Sequence, residues 1–270
     1  MSQPELLITS GFVLLSLHGS VAHLHLNRPD AANGLDIPTL QDLIAALMRC
    51  HGERRVRVVL LTGAGANFCA GGDVHTFVGK GDDLPEYIRQ ATVYLQAAIS
   101  AMIHLDAPVI AAVQGFAAGG GGMGLVCAAD VVIAGESAKF LAGATRVAMA
   151  PDAGLSVTLP RLVGPRKATE MLLMNPVVKA PEALAMGLIN QVVADAELQT
   201  TAMAYAQQMT EAAPLALAAT KRLLWAGIGL GVDAAMPEES RTVAELCRTR
   251  DVREGLAAVI EKRTAQFEGQ

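Results

Sequence analysis

Charge is scarce in this sequence: only 17% of its 270 residues are Asp, Glu, Lys or Arg. No cluster of Lys and Arg stands out and the net charge is −5, so a nucleic-acid partner finds no electrostatic footprint. Cysteines are few. Cys50, Cys69, Cys127 and Cys247 are scattered without metal-ligand spacing, which leaves no metal site to expect and fits reduced thiols in a cytoplasmic setting. Met1 to Ser10 lacks the basic stretch followed by an apolar one that marks a secretory signal. A membrane span is not expected either. Hydrophobic residues make up 52%, and Ala107 to Ala134 is long enough to cross a bilayer, but Gln114, Asp130 and many glycines interrupt it. What remains is a chain long enough to bury a large core without staples, with apolar surface left over for subunit contacts.

The most informative stretch runs from Pro108 to Asp130. Val109 to Val113 is β-branched and apolar, which predicts a buried strand, and it leads through glycines into an Ala/Leu/Met segment of helical composition. The four consecutive glycines, Gly119 to Gly122, would each cost about 1 kcal/mol against Ala inside a helix, so they are expected at its start. Unpaired N–H groups at a helix N-terminus attract negative charge. Three uses are open on composition alone: a phosphate cradle, an oxyanion hole, or close helix packing.

Ahead of this stretch, Phe12 to Leu17 and Val21 to Leu26 flank His18-Gly19-Ser20 and predict a hairpin, with His23 and His25 facing solvent opposite Leu24 and Leu26. Asp36 and Pro38 open a helix reaching about Cys50. Val56 to Leu61 is a second buried strand, followed by a glycine turn at Phe68-Cys69-Ala70-Gly71-Gly72-Asp73, where Asp73 can cap the next helix. The polar segment 79–85 is either a mobile lid or a surface connection, and a helix follows to His104. Val131 to Ala134 and Lys139 to Leu141 are short strands. Beyond them the texture is helical, near 155–162, 165–174, 181–186, 195–212, 214–226, 233–249 and 251–263, with one strand at Ile189 to Val193. The fold class is α/β, with a core over residues 1–194 that holds the site and a helical C-terminal region over 195–270.

The wording of these pieces resembles the crotonase family, the enoyl-CoA hydratase/isomerase superfamily. The resemblance is carried by Leu26-Asn27-Arg28-Pro29 with Asn33-Gly34-Leu35, Leu61-Thr62-Gly63, Phe68 to Asp73, Ala107 to Gly115, Leu159 to Gly164, and Ala180 to Ile189, in the family's order. It implies a crotonase-type spiral of repeated β–β–α units. It also implies an acyl-CoA thioester substrate, no cofactor beyond the CoA that the substrate carries, and assembly into a homotrimer or a hexamer through the C-terminal region. By position the oxyanion donors are the N–H groups of Gly72 and Gly120. Asn33, Gly34, Leu35, Ala70, Gly71, Gly119, Gly121 and Ala144 fall beside the substrate. Asp36, Asp73, His75, Glu86 and Tyr87 are secondary pocket candidates, while Lys221, Lys262 and Arg263 are candidates for CoA phosphates or plain surface charges; His104 is structural.

One departure is informative. Hydratases of this family use two glutamates, and the matching positions here are Met123 or Gly124 and Ala144. What remains is Asp152 in Pro151-Asp152-Ala153-Gly154, matching the aspartate of family isomerases; its other reading is a cap for the following helix. An enoyl-CoA double-bond isomerase that hydrates poorly is therefore expected. An aryl-CoA epoxide ring isomerase, a residual hydratase or thioesterase, and a non-catalytic acyl-CoA-binding relative are the alternatives. A nucleotide-binding protein is the rival from another class, because Gly119, Gly121 and Gly124 satisfy G-x-G-x-x-G. Against it, no ribose-binding acid stands about twenty residues on.

Overall fold

The hairpin around Gly19, whose φ is +63°, is present: β2 (Val13–His18) pairs antiparallel with β3 (Val21–Leu26), and β1 (Glu5–Ile8) adds an outer strand. The computed structural model describes residues 3–270, so Met1 and Ser2 of the segment read for a signal lie outside it. Helix α1 (Ile37–Gly52) starts where Asp36 accepts a hydrogen bond from the Thr39 N–H. Strand β4 (Val58–Gly63), fully buried, is followed by α2 (Val74–Val78) and α3 (Leu84–His104). Between them residues 79–85 form no free loop but a 3₁₀ turn at Gly81–Asp83 that runs straight into α3.

The next segments repeat one pattern. Strand β5 (Val109–Val113) turns at Gly115 into β6 (Phe116–Ala118), and then comes α4 (Gly119–Ala128). Only glycine fits that turn: its φ is +54° and a Cβ would lie 2.0 Å from the Ala66 carbonyl oxygen. Likewise β7 (Val131–Gly135) and β8 (Lys139–Leu141) precede α5 (Leu155–Val163). Then follow α6 (Pro165–Met174), β9 (Val178–Lys179), α7 (Ala180–Ala185), β10 (Gln191–Val193), α8 (Leu198–Met209), α9 (Pro214–Gly227), α10 (Val232–Leu246) and α11 (Arg250–Glu261). The first strand of each repeat joins a seven-stranded sheet in the order β1-β2-β3-β4-β5-β7-β10, parallel from β3 onward, and the second joins a small sheet, β6-β8-β9. This is the β–β–α spiral that the resemblance implies.

A parallel sheet needs cover on both faces. Leu24, Val59, Leu61, Val109 and Ala111 point into the main core with α1, α3 and α4. Val21, Val58, Leu60, Ile110, Ala112 and Ile133 point the other way, where Leu198, Ala202 and Ala206 of α8 cover them. A boundary at residue 194 therefore cuts through the packed core, since α8 is one of its layers. The helices beyond it, α9 to α11, keep apolar side chains outside, with Val232, Val259 and Ile260 at least 73% exposed.

His23 and His25 do not face open solvent. Both are half-buried, because β3 lies between β2 and β4, and their ring nitrogens share Thr62 Oγ1 at 2.8 and 2.6 Å. Burial, with His25 and His18 adding to it, pushes the His23 imidazole down to about 4.

Lys221 is also not a surface cation. It is 5% exposed, and its Nζ donates to Asp130 Oδ2 at 2.8 Å and to the Met102 carbonyl oxygen at 2.8 Å, fastening α9 to the core. Asp130 in turn accepts from the Val109 N–H at 2.7 Å, at the start of β5. Removing one partner of a buried pair strands the other. Lys221→Met is therefore expected to lower the unfolding free energy by roughly 3 kcal/mol, measured by urea titration, and a change under about 0.5 kcal/mol would show that the pair holds nothing.

Candidate active site

Strands β4 and β5 each lead into a glycine turn, and the two turns run side by side. Cys69 and Ala117 form a parallel bridge, with the Ala118 N–H donating to the Cys69 carbonyl oxygen at 2.9 Å. Gly71, at φ +95°, would carry a Cβ 3.0 Å from the Gly119 Cα and 2.6 Å from the Ala118 carbonyl oxygen. Absent side chains thus let one backbone lie on the other. Gly119 starts α4, and Ala118 ahead of it supplies no side-chain cap, so the first amides of the helix keep their donors. Among the described residues neither the Gly72 nor the Gly120 N–H has a protein acceptor.

Both glycines line a cavity of about 530 Å³. Leu35, Ala70, Gly119, Gly121, Ala144 and Asp152 line it too. Asn33, Gly34 and Gly71 do not; they stand behind the wall. Asn33 is fully buried, accepts from the Arg28 N–H at 2.9 Å, and donates to the Ala64 and Asn67 carbonyl oxygens at 2.9 and 2.8 Å, so it pins two turns rather than meeting a ligand. Other walls were not foreseen residue by residue: Ile88 and Leu95 from α3, Phe77 from α2, and Arg146 and Met149 from the segment before Pro151. The helical spacing of Ile88, Ala91, Thr92 and Leu95 is the signal that could have found the α3 wall.

The secondary acids have structural partners. Arg28 reaches Asp73 at 2.7 Å and Asp36 at 3.3 Å, turning both away from the cavity. Burial raises the Asp73 carboxyl, but the Thr76 amide and Arg28 outweigh it and hold it below its ordinary range. Tyr87 accepts from the Ile37 N–H, His75 lies on α2 outside the cavity lining, and Glu86 pairs with Arg89. Lys262 closes α11 at φ +55° and Arg263 is held by Glu254 and Glu261. His104 bonds to the Ser100 carbonyl oxygen within its own helix.

Asp152 differs from all of these. Among the described residues no other residue gives its carboxylate a hydrogen bond or ion pair, its own backbone N–H being its one such neighbour, and it is the one carboxylate lining the cavity. It caps nothing: Gly154 occupies the N-cap of α5, and the Leu155 N–H goes to the Asp152 backbone carbonyl oxygen. The carboxylate lies against α4, where a Cβ on Gly120 would stand 1.4 Å from its Oδ1. Burial raises its pKa above the ordinary carboxylate range. Of the positions where hydratases place glutamates, Met123 is fully buried in the core, Gly124 abuts Ala153, and Ala144 lines the cavity without a charge. No cysteine lines the cavity, and burial pushes the Cys50, Cys69 and Cys127 thiols up to about 12. No group of three or more His, Cys, Asp or Glu among the described residues is placed to hold a metal ion.

Two backbone N–H donors, one in the turn after β4 and one in the first turn of α4, face an apolar cavity beside a single acid on a β–β–α spiral. A sequence model of the enoyl-CoA hydratase/isomerase family matches residues 16–270, and the chain belongs to that family. It is 36% identical to (E)-benzylidenesuccinyl-CoA hydratase of Thauera aromatica, over 95% of this chain and 99% of the relative. It is 31% identical to 1,2-epoxyphenylacetyl-CoA isomerase of Escherichia coli, over 96% and 99%. The crystal structure of an enoyl-CoA hydratase from Bacillus anthracis superposes with a TM-score of 0.89 at 32% identity, covering 100% of both chains.

Gly120→Ala tests the geometry. Its methyl would overlap the Asp152 carboxylate, so turnover should fall by about 100-fold, as expected for a misplacement on the ångström scale, while the circular dichroism stays native. Full activity in a folded Gly120→Ala would show that Asp152 does not work from this position.

Proposed function

We propose that this chain is an enoyl-CoA double-bond isomerase. The single observation that carries the reading is the lone, desolvated and unpaired Asp152 carboxylate set against Gly120 in the cavity. The substrate is a CoA thioester with its carbonyl oxygen between the N–H groups of Gly72 and Gly120. Asp152 removes a proton from the α carbon of a 3-enoyl thioester, and the electron pair moves through the carbonyl to the oxygen. Preorganised backbone donors stabilise that charge without reorganising. The protonated Asp152 then returns the proton to the γ carbon, leaving a 2-enoyl thioester. No cofactor enters this scheme.

Hydration asks for more: a base for water and an acid for the α carbon. The second carboxylate is missing from the cavity lining, so hydration should be slow even though relatives bear hydratase names. The same single acid would suit ring isomerisation of an aryl-CoA epoxide, a second reading favoured by the likeness to the Escherichia coli isomerase. Dinucleotide binding fits the geometry poorly, because Gly124 lies against Ala153 outside the cavity lining and so serves packing rather than a ligand.

Two features of the setting belong to the same reading. Exposed apolar side chains on α9 to α11 call for cover by another subunit, and the family resemblance makes that assembly a homotrimer or a dimer of trimers; sedimentation should give three or six times the 28.1 kDa chain mass, whereas a stable monomer at micromolar concentration would contradict it. Four free thiols, three of them buried, suit the reducing cytoplasm. Among the described residues no helix is long and apolar enough to cross a membrane.

Offering 3-enoyl-, 2-enoyl- and aryl-epoxide CoA thioesters to the wild type and to Asp152→Asn tests the proposal. Isomerisation should drop by roughly 10²–10⁴-fold in the variant. Because the base form is the active one and its pKa is raised, kcat/KM of the wild type should climb with pH through a limb above the ordinary carboxylate range. The same raised pKa means that charging Asp152 costs stability as pH rises through it, so Asp152→Asn should be at least as stable as wild type at pH 8. Efficient hydration by both proteins would overturn the assignment.

A further inference from the structure

No other residue bonds to the Asp152 carboxylate, so the packing of its own turn must fix its position. The contacts of the turn that carries it supply an answer. Gly120 and Gly124 lie four residues apart on α4 and so share one face of that helix. Gly120 faces the Asp152 carboxylate, and Gly124 faces the next residue of the turn, Ala153. A Cβ on Gly124 would lie 2.5 Å from the Ala153 Cβ, with the Ala153 carbonyl oxygen and Ile99 Cδ1 each 3.5 Å away. The gap between helix and turn therefore holds one methyl group and not two. Ala153 supplies that methyl while 3% exposed and at φ +52°, a left-handed conformation that alanine adopts at a cost and glycine adopts freely.

We propose that Gly124 and Ala153 are positioning residues for the reaction: one methyl, seated against a bare site on α4, sets the distance between the Asp152 carboxylate and the Gly120 amide. The inference rests on the reading of Asp152 as the proton carrier. It also explains why residue 124 cannot hold a glutamate while Ala153 keeps its methyl, which ties the single-acid site to the packing beneath it.

The test moves the methyl from one side of the gap to the other. Gly124→Ala places two methyls in a space for one and should push the turn away, cutting kcat for 3-enoyl-CoA isomerisation by about 100-fold with KM little changed. Ala153→Gly empties the gap and suits the backbone, so it should fold stably yet lose about tenfold in kcat through a loosened turn. The double variant G124A/A153G restores one methyl at nearly the same place and should recover kcat to within about threefold of wild type. Rescue of this kind separates positioning from general damage. Wild-type kcat in a folded Ala153→Gly overturns the proposal, as does a double variant no better than its worse parent, and the Ala153→Gly measurement stands even if Gly124→Ala does not fold. Asp152→Asn is run beside them: if it stays active, the proton-carrier reading fails and this inference with it. If it is inactive while both single variants, Gly124→Ala and Ala153→Gly, keep wild-type kcat, only the positioning role fails.

Discussion

The contact on which the site depends is backbone against backbone, where Gly71 meets Gly119. A Cβ on Gly71 would lie 2.6 Å from the Ala118 carbonyl oxygen, nearer than folded chains allow, and one on Gly119 would press the Gly71 Cα at 3.2 Å, so the two turns lie this close because both residues lack one. That contact brings an amide from the end of one strand unit beside the first turn of the helix that ends the next. Either amide alone would be an ordinary unpaired donor facing a cavity. Together they form a place for negative charge, and the surrounding apolar walls raise the value of each hydrogen bond made there.

The rest of the fold keeps the two turns in register. Both leave adjacent parallel strands, β4 and β5, whose residues pair as Val59 with Val109 and Leu61 with Ala111. The sheet is held between two layers, α1 and α3 on one face and α8 on the other. Behind the first turn, Asn33 and Arg28 tie it by hydrogen bonds that leave no polar group of Asn33 free for a ligand. At the foot of β5, Asp130 links the Val109 amide to Lys221 of α9, so the C-terminal helices also bear on the strand that feeds the tetraglycine.

Much of this was legible in the sequence, for physical reasons. Buried parallel strands read as continuous β-branched runs: Val109–Val113 lies where its run places it, and the strand read over Val56 to Leu61 is found two residues later, at Val58–Gly63. Four glycines could not sit mid-helix cheaply, and they form the first turn of α4. What failed to show depends on neighbours distant in sequence. A lone lysine on an Ala- and Leu-rich helix reads as surface, and only the fold puts Asp130 and the Met102 carbonyl beside Lys221. His23 and His25 read as the outer face of a hairpin until β4 brings Thr62 against them. Helix α8 reads as part of the tail because order along the chain does not reveal which sheet face lacks cover. Asn33 falls beside the substrate by resemblance, yet its side chain is spent on turn carbonyls.

The central claim is that one carboxylate both takes and returns the proton. The most direct measurement follows the label: a 3-enoyl-CoA thioester deuterated at the α carbon is converted in a single turnover in ordinary water, and the product is examined for deuterium at the γ carbon. A single shielded acid predicts that a measurable fraction of the label moves from the α to the γ carbon. No transferred deuterium at all, with solvent hydrogen at the γ carbon or a hydroxyl on the β carbon instead, would contradict the account.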